Sequence, residues 1–349
     1  MKTGNTFAAN ITRMKAYRST ALLFFVLICF ACKKKDSLKG INKAALFATP
    51  TTEEIDAVAH SWAQRNLVPQ QVTIEETQSI NSKLSAYIIS FSLGTIKEYA
   101  AVLAPVTHQR VPLLFYAGGF SMNEEPVSSV KVKLPEEDLP FIYIVPAMRG
   151  QYVSLEVSGK LLKSPLSGGS RLDAFDGATD DVIACLNAAG QLFQQADTNK
   201  AMIRGGSRGA IVALLAGIRD QRFKRVAPVA FNSDFVGLTA QHYNDPTYKA
   251  QFLNGLINGT STLAQTRQLM IASSPFYFAK RVPEAQLHAA QNDRITPASE
   301  AELLLNEMKK QGVGNRATLF IYPGRDHHTI AAGNTELESR INTFFSAPW

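Results

Sequence analysis

Gly205-Gly206-Ser207-Arg208-Gly209 sets a serine between glycines at the spacing Gly-x-Ser-x-Gly. A serine hydroxyl is a weak nucleophile at neutral pH. It attacks a carbonyl carbon only when a base takes its proton and an acceptor orients that base. The motif is loose, so its surroundings carry the inference. It lies between a short strand pattern, Lys200 to Arg204, and an Ala- and Leu-rich helix pattern, Ala210 to Ile218. A tight turn there holds the serine side chain clear, and glycines let the strand and helix backbones approach closely. Ser207 is the expected nucleophile.

An acid and a base are then expected in the chain order Ser, Asp, His. Gln291-Asn292-Asp293-Arg294-Ile295-Thr296-Pro297 follows a strand pattern and precedes a helix pattern, which places Asp293 in a loop at a strand's carboxyl end. Tyr322-Pro323-Gly324-Arg325-Asp326-His327-His328 follows the last strand pattern. His327 is the expected base and His328 its neighbouring competitor. His60, His108, His242 and His288 read as surface or core histidines. The oxyanion needs two donors: the backbone N–H of Arg208 and that of Gly118, in Ala117-Gly118-Gly119-Phe120. The Arg208 side chain is open to two readings, a carboxylate binder at the mouth of the site or a solvent-exposed group. Glu124-Glu125 is open to two as well, a binder of a substrate amine or a solvated loop. The chemistry requires neither metal nor organic cofactor.

These loops need a frame. Thr51 and Glu54 form a capping box opening a helix to about Leu67. Val72–Thr77, Ala86–Ser92 and Thr95–Leu103 read as antiparallel strands. From Val111 onward, apolar strand and amphipathic helix alternate: strands at Val111–Tyr116, Phe141–Pro146, Phe223–Val229, Ala285–Ala290 and Ala317–Tyr322, helices at Asp176–Phe193, Ala298–Lys310 and Thr335–Phe345. This predicts an α/β-hydrolase fold, a mostly parallel sheet covered on both faces. The polar stretch from Asn232 to Pro275 reads as an inserted cap, so residues 51–349 form one domain with a cap at about 232–275.

The net charge of +7 comes from the first 35 residues, which hold seven bases and no acid; beyond them 29 bases face 29 acids. Composition therefore gives no basic surface for nucleic acid. The basic head precedes an apolar run, Ala21 to Ala31, short for a membrane span and suited to a signal peptide. Ala31 before Cys32 is the arrangement a lipoprotein signal peptidase needs. Residues 1–31 are expected as a lipoprotein signal, Cys32 as the lipidated residue, 32–50 as a tether, and the product as an exported bacterial lipoprotein held on a membrane of the cell envelope. Met14 would give a more typical signal start. Cys185 is then left as a lone cysteine in a helical pattern, a small core hydrophobe.

Several stretches resemble the catalytic domain of the prolyl oligopeptidase group (S9-type) of serine peptidases. They are YAGGF at Tyr116, DDVIACLNAA at Asp180, IRGGSRGA at Ile203, VAPVA at Val226, SSPFYFAKRVPEAQLHAAQNDRITP at Ser273 and IYPGRDHH at Ile321. The resemblance runs from about Val111 to the C-terminus and implies Ser207, Asp293 and His327 as a triad. It implies a serine hydrolase acting on small substrates, first a peptidase and alternatively a carboxylesterase on acylated sugars or small esters. A third reading is a lipid-anchored binding protein without catalysis. Family members that restrict substrates to short peptides carry a β-propeller, and no stretch here reads as one. Some members use a tyrosine as second oxyanion donor, which one register places at Tyr116 and the other at Ala117.

Overall fold

The computed structural model describes residues 36–119, 139–157 and 159–349. The expected signal segment 1–31, Cys32, Phe120 and Glu124-Glu125 lie outside the described residues. Strands β1 (Gln70–Asn81), β2 (Leu84–Leu93), β3 (Ile96–Pro105), β4 (Val111–Ala117) and β5 (Ile142–Ala147) come first. A small hairpin, β6 (Ser154–Val157) and β7 (Lys160–Lys163), follows, then β8 (Ala196–Gly206), β9 (Phe223–Val229), β10 (Glu284–Ala290) and β11 (Ala317–Tyr322). All but the hairpin join one sheet, in the order β1-β2-β3-β5-β4-β8-β9-β10-β11. The strands from β5 to β11 in that order pair in parallel, while β1, β2 and β3 form an antiparallel entry.

Helices α1 (Lys43–Leu46), α2 (Thr52–Ala63), α3 (Asp176–Leu192) and α4 (Arg208–Arg219) are followed by four α-helices between β9 and β10, with a π-helical turn at Lys249–Leu253 and a 3-10 segment at Pro275–Arg281 among them. These four are α5 (Phe235–His242), α6 (Pro246–Tyr248), α7 (Asn254–Ile257) and α8 (Leu263–Ala272); α9 (Ala298–Lys310) and α10 (Thr335–Ser346) complete the series. Period-two alternation divides the strands between two layers. On β3, Ala100, Val102 and Ala104 face the layer of α3, α4 and α9, while Tyr99, Ala101 and Leu103 pack with the hairpin. The second layer continues on α10, whose Leu337, Ile341 and Phe345 pack on Met202, Ala227 and Tyr322. Helix α4 is buried along nearly all its length, so its apolar run has no polar face to show.

Two boundaries differ from expectation. Residues 36–50, read as tether, belong to the body: Leu38 and Leu46 are fully buried, and Ser37 bonds Asn244 and the Tyr243 carbonyl. Two leucines in a polar stretch are enough to dock it once a partner surface exists. Helix α2 keeps the Thr51/Glu54 capping box but ends at Ala63 rather than Leu67. Arg65 is drawn to Asp176 and Asp180 of α3, and Asn187 takes the Leu67 carbonyl. The hairpin β6–β7 had no forecast.

Candidate active site

Strand β8 runs directly into Ser207, whose φ of 55° and ψ of −120° lie in a region a side chain resists. Two backbone bonds hold the turn: Ser207 N–H donates to the Val229 carbonyl at 2.9 Å, and Ala210 N–H donates to the Ser207 carbonyl at 3.0 Å. The outer glycines are required by close approach. A Cβ at Gly205 would enter the Gly209 backbone, and one at Gly209 would enter the backbone of Ala117 and Gly118. At Gly206 a Cβ meets nothing within 4 Å. The nucleophile turn is thus pressed against the loop after β4.

The structure brings Ser207, His327 and Asp293 together. His327 Nε2 lies 3.0 Å from Ser207 Oγ, and its Nδ1 lies 2.8 Å from Asp293 Oδ2. The Asp293 side chain is fully buried and that of His327 is 13% exposed. Asp293 Oδ1 accepts the N–H groups of Ile295 and Thr296, each at 2.8 Å; Oδ2 accepts the Thr296 hydroxyl at 2.6 Å. Burial pushes this carboxyl upward, but the hydrogen bonds from His327, Thr296 and Ile295 outweigh it and hold the group below the usual carboxylate range. Asp293 therefore stays ionised at neutral pH and fixes the ring nitrogen that faces it.

The base loop is shaped locally. Asp326 Oδ1 accepts from the N–H of His328 and from the N–H and hydroxyl of Thr329, and Arg325 reaches the carbonyls of Thr329 and Ala332. Asn292 N–H donates to the Arg325 carbonyl at 2.8 Å, which ties the acid loop to the base loop. His327 is turned inward, and His328 is exposed. His288 is fully buried on β10 with Nδ1 2.9 Å from the Tyr322 hydroxyl, and His60 and His242 are exposed.

Gly118 sits in the loop after β4 against Gly209, and Arg208 is the first residue of α4. Both readings of the Arg208 side chain need correction: it is 3% exposed and its Nε donates to the Ala174 carbonyl at 2.8 Å. The apolar run of α4 leaves that guanidinium no path outward, so it settles in a buried group with Glu98, Arg149 and Asp181. Burial lowers it to about 10, which leaves it charged at neutral pH.

Two residues without a forecast also meet the site. Gln151, 1% exposed, donates its Nε2 to the Gly119 carbonyl at 3.1 Å, bracing the loop that holds Gly118. Thr296 touches both Asp293 and His327. The DRITP string contained Thr296, but only the turn shows its hydroxyl facing inward; nothing local marked Gln151.

A cavity of about 510 Å³ runs from Ser207 under the inserted helices, walled by Phe175, Ile211, Asn232, Phe235, Leu238 and Tyr248 among others. A second, of about 200 Å³, includes Ser207 and His327 with Tyr116, Gly119, Arg204 and Ile330. Among the described residues no group of three or more His, Cys, Asp or Glu is placed to hold a metal ion, and no helix is long and apolar enough to cross a membrane.

The sequence profile of the prolyl oligopeptidase family matches residues 171–346. No curated protein is similar to the chain. Among solved structures, the acetyl xylan esterase of Paenibacillus sp. R4 is similar at a TM-score of 0.61 and 15% identity, over 88% of this chain and 99% of its own. Acetyl xylan esterase 1 of Thermoanaerobacterium sp. is similar at 0.59 and 14%, over 85% and 95%. A prolyl endopeptidase is similar at 0.52 and 20%, over 75% of this chain and 38% of its own. At these identities the likeness is one of fold. The family match takes in half of the chain, from before α3 through the nucleophile turn, acid loop and base loop; the chain is a serine hydrolase and belongs to the prolyl oligopeptidase family.

Proposed function

We propose that Ser207, His327 and Asp293 act as a catalytic triad that cleaves a carboxylic ester through an acyl-enzyme. The observation that carries this reading is the 3.0 Å approach of His327 Nε2 to the Ser207 hydroxyl, made on a turn that holds the serine in a strained conformation. Ser207 Oγ attacks the carbonyl carbon as His327 takes its proton, and Asp293 holds Nδ1–H toward itself. The negative charge on the carbonyl oxygen is met by the N–H groups of Arg208 and Gly118, with the Tyr116 hydroxyl as alternative to the second. His327 returns the proton to the leaving alcohol, and water then releases the acid by the same steps in reverse roles.

Two supports favour an ester over an amide. The acetyl xylan esterases match over nearly their whole length, whereas the prolyl endopeptidase matches over 38% of its own. The 510 Å³ cavity is also bordered by polar groups, His242, Thr247 and Gln251, suited to an acylated sugar or a similar polar alcohol. The family profile supports a second reading, a peptidase on short peptides. Matched ester and amide substrates separate them: ester turnover without amide turnover is expected, and amide turnover at comparable rates overturns the ester assignment. A fluorophosphonate probe should label the wild type and not Ser207→Ala, with turnover reduced about 10⁶-fold in the variant. Equal labelling of both removes Ser207 from the chemistry. Residues 1–32 support a companion proposal, export and lipidation at Cys32; an intact mass lacking a diacylglyceryl group would refute it.

A further inference from the structure

Thr296 stands where three polar atoms converge. Its residue is 4% exposed. Its Oγ1 lies 2.6 Å from Asp293 Oδ2 and 3.1 Å from His327 Nδ1, and Oδ2 and Nδ1 lie 2.8 Å from each other. A hydroxyl carries one proton and two acceptor positions. Asp293 is held ionised and accepts only, so the Thr296 proton goes to Oδ2. One of the hydroxyl's lone pairs is then available toward Nδ1–H. Each oxygen of Asp293 consequently takes two hydrogen bonds, Oδ1 from Ile295 and Thr296 N–H, Oδ2 from the Thr296 hydroxyl and His327. That fills the roughly four acceptor positions a carboxylate has.

We propose that Thr296 is a positioning residue of the catalytic centre: its hydroxyl shares the Nδ1 proton of His327 with Asp293 and so sets the plane in which the imidazole faces Ser207. The proposal rests on the triad reading above. A turn that merely capped Asp293 needs only the Ile295 and Thr296 backbone N–H groups, which every residue but proline supplies. The side-chain hydroxyl adds a second acceptor beside Nδ1, so the ring is held by two points rather than swinging about one. It also draws electron density from Oδ2, moderating how strongly the carboxylate binds the ring's proton. During attack the ring becomes doubly protonated and needs its Nδ1–H held in place. Thr296 also borders the 510 Å³ cavity, but its hydroxyl is engaged by Asp293 and His327, so the lone pair contributes to the ring rather than to the substrate. The effect should therefore fall on kcat rather than KM.

The test uses Thr296→Val, which keeps the branched shape and loses the hydroxyl, and Thr296→Ser, which keeps the hydroxyl and loses the methyl. Thr296→Val is expected to lower kcat about tenfold, the size of one hydrogen bond, with KM unchanged, and to move the downfield proton resonance of His327 Nδ1. Thr296→Ser should restore both. Thr296→Ala serves in place of Val should the latter fail to fold. A folded Val or Ala variant with wild-type kcat and an unmoved resonance overturns the proposal, as does loss of activity that Ser fails to restore. The fluorophosphonate probe keeps the two claims apart: no labelling of the wild type removes the triad reading itself, whereas wild-type labelling with an indifferent Thr296→Val removes only the role of Thr296.

Discussion

The turn at Ser207 is held by backbone packed on backbone, whereas the helices above it are held by side chains reaching across the chain. Gly205 and Gly209 let β8, α4 and the loop after β4 close to contact distances no side chain permits. In α8, Arg267 makes a bidentate pair with Glu54 of α2, at 2.7 Å for each arm, and its Nη1 donates to the carbonyls of Ala45, Leu46 and Ala48. Phe175, ahead of α3, meets Phe235 of α5 and Phe252 between α6 and α7. The turn at Ser207 thus tolerates almost no change in shape, while the wall of the cavity beside it is an assembly of distant pieces. On the proposed function, reactivity and specificity are carried by structures that fail in different ways.

The largest effect should come from Gly209→Ala. Its Cβ enters backbone that has no side-chain end to swing away, so a loss of about 3 kcal/mol or more is expected, together with nearly all turnover; urea melts and kcat/KM check both. Next is Arg267→Gln, which removes the charged partner of Glu54, leaving it the Thr51 N–H, and takes the Nη1 donor from three carbonyls. With Arg267 7% exposed, a destabilisation of roughly 2 to 3 kcal/mol is expected, with KM rising more than kcat falls. Equal loss of kcat would show that the inserted helices also shape the centre.

A smaller effect separates the buried charges under the nucleophile from both regions. Glu98 on β3 is 1% exposed, and burial, then the Asp181 charge, pushes its carboxyl from 4.5 up to about 9, against the opposing influence of the Ser167 side chain and then of Arg149 and Arg208. Between those values the folded chain holds a proton that the unfolded chain has released, so stability falls as pH rises through this window. Glu98→Gln should flatten that slope and leave the chain more stable than wild type at pH 8. An unchanged slope in melts from pH 5 to 9 would show that Glu98 is ionised when folded. The smallest effect is expected at Gly206→Ala, within about 0.5 kcal/mol of wild type, because open space receives the methyl.

Legibility in the sequence follows the same division. Strands β9, β10 and β11 and helices α3, α9 and α10 lie within a residue of their forecast bounds, since apolar periodicity and flanking turn residues mark them locally. For strand β8 (Ala196–Gly206) the sequence marks only Lys200 to Arg204, because its ends, Ala196 to Asn199 and Gly205 to Gly206, lack strand composition. The segment 36–50 reads as a tether because what anchors it lies far off in the chain: Leu38 and Leu46 are buried in the main core, and Arg267, more than two hundred residues on, holds the carbonyls of Ala45, Leu46 and Ala48. The inserted region 232–275 reads as a cap from its polar, Asn- and Thr-rich composition and its length, but its helices and their aromatic wall depend on Phe175, more than fifty residues earlier in the chain.

The order Ser207, Asp293, His327 and the turn chemistry around each were set by the sequence alone, because glycine, proline and aspartate dictate backbone over a few residues. Tertiary structure decided what stands next to what: that His327 and not His328 turns inward, that the Arg208 side chain runs into the core, that Thr296 and Gln151 join the site, and how wide the cavity beneath α5 is. Those outcomes depend on contacts between residues far apart in the chain, which local pattern does not encode.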